Sequence, residues 1–334
     1  MAPMRIALSD DGRDFHQRDW TDLVRADPAG TFFHLPRYLK LYWEEFGAAP
    51  EHLLLAFAEA DDGEQVGACA FERDGATLRF LGGTEVTDYL GPVAHPEAKE
   101  QMAKELWAAL LRRDDWADAD LWGLAEDAGW YALLGDAAAA AGLTVTEAPD
   151  HDGVAPFLAL APTWDAYLEG LPAKLRHEIR RKAKKLEAEA GPFRIVTADD
   201  ATLVPMLDRF VELHRMSEGP KGVFMVPGME IFFRRLGEAF CADGRFRLSM
   251  IEVDGQLAAG TIGFVFDGTT SLYNSAFDRS WGGLAPGMVL VGEDIRIAIE
   301  DGCIAFDLLK GDYAYKYRFG AVPRAVKRFL ASRG

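Results

Sequence analysis

Apolar and polar positions fall into two similar series along this chain. In the first series, residues 53–60 alternate loosely between apolar and polar side chains, which predicts a β-strand. Asp62-Gly63 is a tight-turn dipeptide, and 66–73 reads as the returning strand of a hairpin. A third strand is predicted over 76–81, then a loop over 82–96, a helix over 97–112 and a strand over 120–124. The second series repeats this order. Strand 246–253, the turn Asp254-Gly255 and strand 256–266 are followed by strand 270–277, a Gly-rich loop over 278–287, helix 288–300 and strand 304–309. The Asp-Gly turns lie 192 residues apart (Asp62 to Asp254), and GEQVGACAF parallels GQLAAGTIGF in position and character. One order of elements recurring at a fixed offset predicts a duplicated α/β unit, with chance likeness of two α/β halves as the alternative. The expected division is 1–160 and 161–334.

A helical stretch separates the two series. Thr163 is placed to cap a short helix over 164–169, and Pro172 to open a longer one, 172–190, that Gly191-Pro192 stops. Lys174, Arg176, Arg180, Arg181, Lys182, Lys184 and Lys185 make this helix basic, while Leu175, Ile179, Ala183 and Leu186 give it a narrow apolar stripe. The helix stands out because the chain as a whole carries a net charge of -17. Residues 1–160 hold 12 Lys and Arg against 30 Asp and Glu; residues 161–334 hold 24 against 23. The acidic first half repels nucleic acid and anionic lipid, so no DNA partner is expected, and an anionic ligand belongs to the second half. The basic helix is then either a solvated face that balances the acidic half, or a contact for a phosphate-rich ligand or an RNA acceptor stem.

Other chemistry is narrowed by what the sequence lacks. Cys69, Cys241 and Cys303 are widely spaced, and no CxxC, HExxH or Cys/His cluster occurs, so neither a metal site nor a disulfide framework is expected. No run of eighteen apolar residues occurs and the start is polar, so the expectation is a cytoplasmic protein with no transmembrane segment. There is no GxSxG, which argues against a covalent serine mechanism.

Five segments in order carry a family resemblance: LPAKLRHEIRRKAKKLE at 171–187, KGVF at 221–224, SLYNSAFD at 271–278, LAPGMVL at 284–290 and FDLLKGDYAYKYRFG at 306–320. Together they resemble the FemAB-like branch of the GNAT acyltransferase superfamily, especially the domain of CelD-type proteins of polysaccharide biosynthesis. TDYLGPV at 87–93 is similar to a loop motif of the same family and extends the likeness more faintly into the first half. The resemblance implies tandem GNAT-like folds of mixed sheets flanked by helices, the first degenerate and the second active. It also implies transfer of an acyl or aminoacyl group to an amine or hydroxyl, often on a cell-envelope precursor. The donor would be an acyl-CoA co-substrate, with no tightly bound cofactor, or in another branch a charged tRNA.

Site residues follow from laying that resemblance on the sequence. In GNAT enzymes a glycine-bearing loop before a helix N-terminus offers backbone N–H groups to the coenzyme A pyrophosphate. Here Arg279, Gly282, Gly283 and Gly287 occupy that segment, although Leu284 stands where the family has Gly or Ala. Tyr273, Asn274 and Ser275 lie on the preceding strand, where polar groups and backbone N–H near Ser275 would face the donor carbonyl. Lys316 matches a family lysine that faces an anionic substrate; Lys310, Tyr315 and Arg318 cluster with it. Asp307 and His214 are candidate general bases, Lys221 sits in a Gly-Pro loop, and Asp88 and Tyr89 are placed to touch the acceptor. The mechanism expected is direct transfer in a ternary complex. An aminoacyl transferase using charged tRNA is the runner-up, and a non-catalytic GNAT-like binding protein is the reading of a different class.

Overall fold

The computed structural model describes residues 4–148, 153–217 and 223–334. The chain divides into two compact units, residues 1–154 with 324–334, and residues 155–323. In the first unit the sheet runs β1 (Met4–Ser9), β2 (Leu53–Ala60), β3 (Gln65–Asp74), β4 (Thr77–Phe80), β6 (Asp118–Ala125), β15 (Ala325–Ser332), β7 (Thr144–Glu147). Short strands β5 (Val93–Ala94) and β8 (Gly153–Val154) pair with β3 and β15. Strand β2 is the sheet's apolar heart. Its first seven residues are all buried, so it is covered on both faces and does not show the alternation of a half-exposed strand. Helices α1 (Pro36–Phe46), α2 (Lys99–Leu111) and α3 (Trp130–Ala140) belong to this unit, with shorter helical turns at Asp14–Gln17 and Thr21–Ala26.

The second unit has the order β10 (Phe193–Thr197), β11 (Phe246–Val253), β12 (Gln256–Phe266), β13 (Thr269–Phe277), β14 (Ala305–Asp307), β9 (Phe157–Ala159). Each sheet thus has an antiparallel meander of four strands whose last member pairs in parallel with a strand that follows a helix. In the first unit the parallel pair is β4 and β6; in the second it is β13 and β14. This is the duplication that the Asp-Gly turns announce. At the second of them, Asp254 and Gly255 both have positive φ (48° and 73°), the conformation of a tight two-residue hairpin turn. Asp267 and Gly268 repeat it between β12 and β13.

Helices cover both faces of the second sheet: α4 (Trp164–Gly170), α5 (Ala173–Ala190), α6 (Leu203–Arg215), α7 (Pro227–Phe240) and α8 (Pro286–Glu300). Consecutive strand residues point to opposite faces, and β12 shows the consequence. Ala259 packs with Leu186 of α5 and Val289 of α8. At its neighbour Gly260, a Cβ would lie 2.9 Å from both Phe210 of α6 and Met250. That glycine lets α6 settle on the other face.

The units do not follow the sequence division at 160. Strand β15 leaves the second half and lies between β6 and β7 of the first unit, while β9 pairs with β14 of the second. Buried Val326, Phe329 and Ala331 interspersed with more exposed residues suit a strand that satisfies both of its neighbours' hydrogen-bonding edges. The long helix begins at Pro286, two residues before the expected start, because proline suits the first helical turn.

Candidate functional site

The second unit contains a place where its sheet opens. Strands β13 and β14 pair over three residues only, the last pair being Ser271 with Asp307. Beyond it the two strands are no longer paired, and the register of β12 against β13 shifts between Ile262 and Gly263. On this stretch Tyr273, Asn274 and Ser275 are half-buried in a strand whose Leu272 and Ala276 are buried.

Asn274 is held in one orientation. The backbone N–H of Ser275 lies 2.8 Å from its side-chain oxygen, and a backbone N–H can only donate, so that atom is the acceptor. The same oxygen lies 3.2 Å from Nε2 of His214, which therefore carries its proton on Nε2 and donates it. Both Asn274 amide N–H groups are left to point elsewhere, and among the described residues no acceptor takes them. Sequence reading placed the oxyanion donor at the backbone near Ser275. That N–H is already spent on Asn274, and the free donors belong to the Asn274 side chain. His214 itself is fully buried, with its ring 6.0 Å from that of Phe210 and 5.9 Å from that of Phe224. It orients Asn274 through this contact. Tyr273 packs edge-on against Phe233 and is tilted against Phe264.

The loop to α8 is a short 3-10 turn, Arg279–Leu284, capped by Asp278, whose carboxylate accepts from the Ser280 N–H at 3.0 Å. Arg279, Gly282 and Gly283 are exposed, and a Cβ on either glycine would meet nothing within 4 Å. The left-handed position is taken by Ala285 (φ 52°), immediately before Pro286 and Gly287 open the helix. Leu284, the departure from the family pattern, packs with Trp281 against Leu186, Ala259 and Val289. Lys185 donates to the carbonyl of Gly283 at 2.9 Å, tying the basic helix to this loop. Lys174, His177, Arg180, Arg181 and Lys184 fall on one exposed face of α5, and none has an ion pair among the described residues.

The segment after β14 turns its charges inward. Asp307 is buried and accepts from the N–H of Leu309, which sits in the left-handed region (φ 57°). Lys316 is 3% exposed, and its ammonium donates to the carbonyls of Leu309 at 2.7 Å and Lys310 at 2.9 Å. In this position its ammonium braces the backbone that leaves β14. Arg318 pairs with Glu178 of α5 at 3.2 Å, and burial pushes the Tyr315 phenol up to about 12. In the first unit, Tyr89 is buried and its hydroxyl accepts from Arg324, so its place is structural, while Asp88 is half-buried beside it. Lys221 lies outside the described residues.

The sequence model of the acetyltransferase (GNAT) domain matches residues 173–317. No curated protein matches the sequence. Among solved structures, FemX superposes with a TM-score of 0.67 at 14% identity, covering 92% of this chain and 94% of its own. The C-terminal domain of a lysylphosphatidylglycerol synthetase from Agrobacterium fabrum gives 0.60 at 12% identity, over 97% and 93% of the two chains. A tandem GNAT protein from the clavulanic acid biosynthesis pathway gives 0.51 at 16%, over 99% and 98%. At such identities these likenesses speak for the fold, and they span both units.

Proposed function

We propose that the protein, whose residues 173–317 match the sequence model of the acetyltransferase (GNAT) domain, transfers an acyl group from a CoA thioester to an amine or hydroxyl. The transfer takes place where β13 and β14 part, and the acceptor is an envelope or exopolysaccharide precursor met in the cytoplasm. The observation that carries this is the arrested amide of Asn274. Its oxygen accepts from His214 and Ser275, which fixes the two N–H groups on the strand that borders the opening, ready to donate to a carbonyl oxygen as it gains charge. The donor's phosphates would lie along the exposed Gly282–Gly283 turn and the first turn of α8, where backbone N–H groups and the helix dipole favour anions. The protein's part is orientation and charge stabilisation; it forms no covalent intermediate.

The test is transfer by the Asn274→Ala variant. Loss of a single preorganised donor lowers kcat by about 100- to 1,000-fold with little change in KM. Unchanged kcat would exclude Asn274 from the reaction.

A second reading, aminoacyl transfer from charged tRNA, is favoured by the unpaired cationic face of α5 in a protein of net charge -17. FemX and the lysylphosphatidylglycerol synthetase domain share the fold, which agrees with either donor.

A further inference from the structure

Four strands of the first unit carry a row of charged side chains across one face of the sheet. Glu72 on β3 stands directly opposite Arg79 on β4, and Arg79 is paired with Asp120 on β6. Asp120 accepts two bonds from Arg328 of β15, at 2.6 Å from Nε and 2.5 Å from Nη2. Cross-strand partners lie on the same side of a sheet, so these four groups make one floor of alternating sign. Strands β4 and β6 pair only as far as Arg79 and Asp120. Above this floor opens a cleft of about 360 Å³, walled by Tyr42 of α1, Thr84, Leu90 and Trp122. That size is usual for small-molecule sites.

Three of the four charges are answered. Arg328 holds Asp120, and Arg79 reaches Asp74 at 2.7 Å and Asp120 at 3.6 Å. Glu72 is the exception, since no group among the described residues bonds its carboxyl. Burial pushes this carboxyl up to about 7 even though Arg79 pulls the other way, and Asp74 adds to the rise. The nearby Tyr42 phenol is raised by burial first and by the Glu72 charge second. A half-buried carboxyl without a donor is unfavourable, and what it lacks is a cation from outside.

We propose that this cleft binds a small molecule bearing an ammonium group, which pairs with Glu72 while its apolar body lies against Leu90 and Trp122. The site stands on the first unit alone and does not rest on the transfer reading. Binding ionises Glu72, so at pH 6.5, below its raised pKa, uptake of the ligand releases part of a proton; at pH 8, where Glu72 is mostly ionised and the amine is still charged, it releases almost none.

Calorimetry on the full chain with benzylamine and its neutral counterpart benzyl alcohol tests this. Benzylamine binds wild type about tenfold or more tightly than the alcohol, an advantage of one charge-assisted bond. Titrations in two buffers of different ionisation heat show proton release at pH 6.5 and almost none at pH 8. In Glu72→Gln the preference for the amine disappears. Equal affinity for the two probes in wild type, no binding of either, or a preference that survives in Glu72→Gln would each overturn the assignment. If Glu72→Gln does not fold, proton release in wild type decides by itself.

Discussion

Lys316 offers a sharp separation between bracing and binding. Replacing it by Met keeps the apolar stem and removes the ammonium. The carbonyls of Leu309 and Lys310 then lose bonds of 2.7 and 2.9 Å at a residue that is 3% exposed. Charged hydrogen bonds contribute about 1.5–3 kcal/mol each, so two account for roughly 3–6 kcal/mol. Part of that returns, because the variant no longer buries an ammonium. The net loss is about 2–4 kcal/mol. For a unit of this size one kcal/mol moves the melting temperature by roughly 2–4 °C, so Lys316→Met melts roughly 5–15 °C below wild type. Near-UV circular dichroism during heating reads this. A variant that melts within about 2 °C of wild type but binds donor or acceptor more weakly would refute the inward assignment and return Lys316 to the substrate.

Further outcomes follow from other residues. Asp294 of α8 is buried, accepts from Thr261 at 2.8 Å, and has its carboxyl pushed up to about 7 by burial. Its folded pKa exceeds its unfolded one, so the native state holds the extra proton and stability falls as pH rises from about 4 to about 7. Asp294→Asn should flatten that slope and stabilise the protein by roughly 2–4 kcal/mol at pH 8, with little change at pH 4; melting curves across this range that leave the slope unaltered would count against it. Reversing Arg180 and Lys184 to Glu should weaken RNA binding and reduce its salt dependence if charged tRNA is the donor. If transfer from CoA thioesters is untouched and RNA binding is unchanged, the α5 face is a solvated surface.

Much of the fold was legible because its signals are local. The strands over 246–253 and 256–266 and the Asp254-Gly255 turn follow from alternation and turn chemistry, which a short window contains. The same signals in the first half exposed the duplication. What could not be read was long-range. Strand β15 completes a sheet formed 200 residues earlier, and nothing in a window around Val326 tells which edge it will join. The candidate site shows the same limit. Lys316 and Arg318 looked like ligands because charges cluster after an apolar strand, but the left-handed turn at Leu309 directs two carbonyls at Lys316, and Glu178 of α5 takes Arg318. Asn274 gained importance only once His214, 60 residues away, was seen to fix its amide. Leu284 looked like a defect in a phosphate loop; it is a packing residue shared with α5.

The central claim is that the second unit receives a CoA thioester at the turn before α8, and the melting temperature with acetyl-CoA tests it most directly. At a hundredfold excess over its dissociation constant a bound donor stabilises the folded protein by about 2.7 kcal/mol. Gly283 has open space where its Cβ would be, so Gly283→Val leaves the free protein intact and obstructs only a ligand that approaches the backbone there. The account predicts a rise in melting temperature for wild type with acetyl-CoA or longer thioesters and a much smaller one for Gly283→Val. No rise in wild type with any CoA thioester, together with a rise on adding charged tRNA, would contradict it.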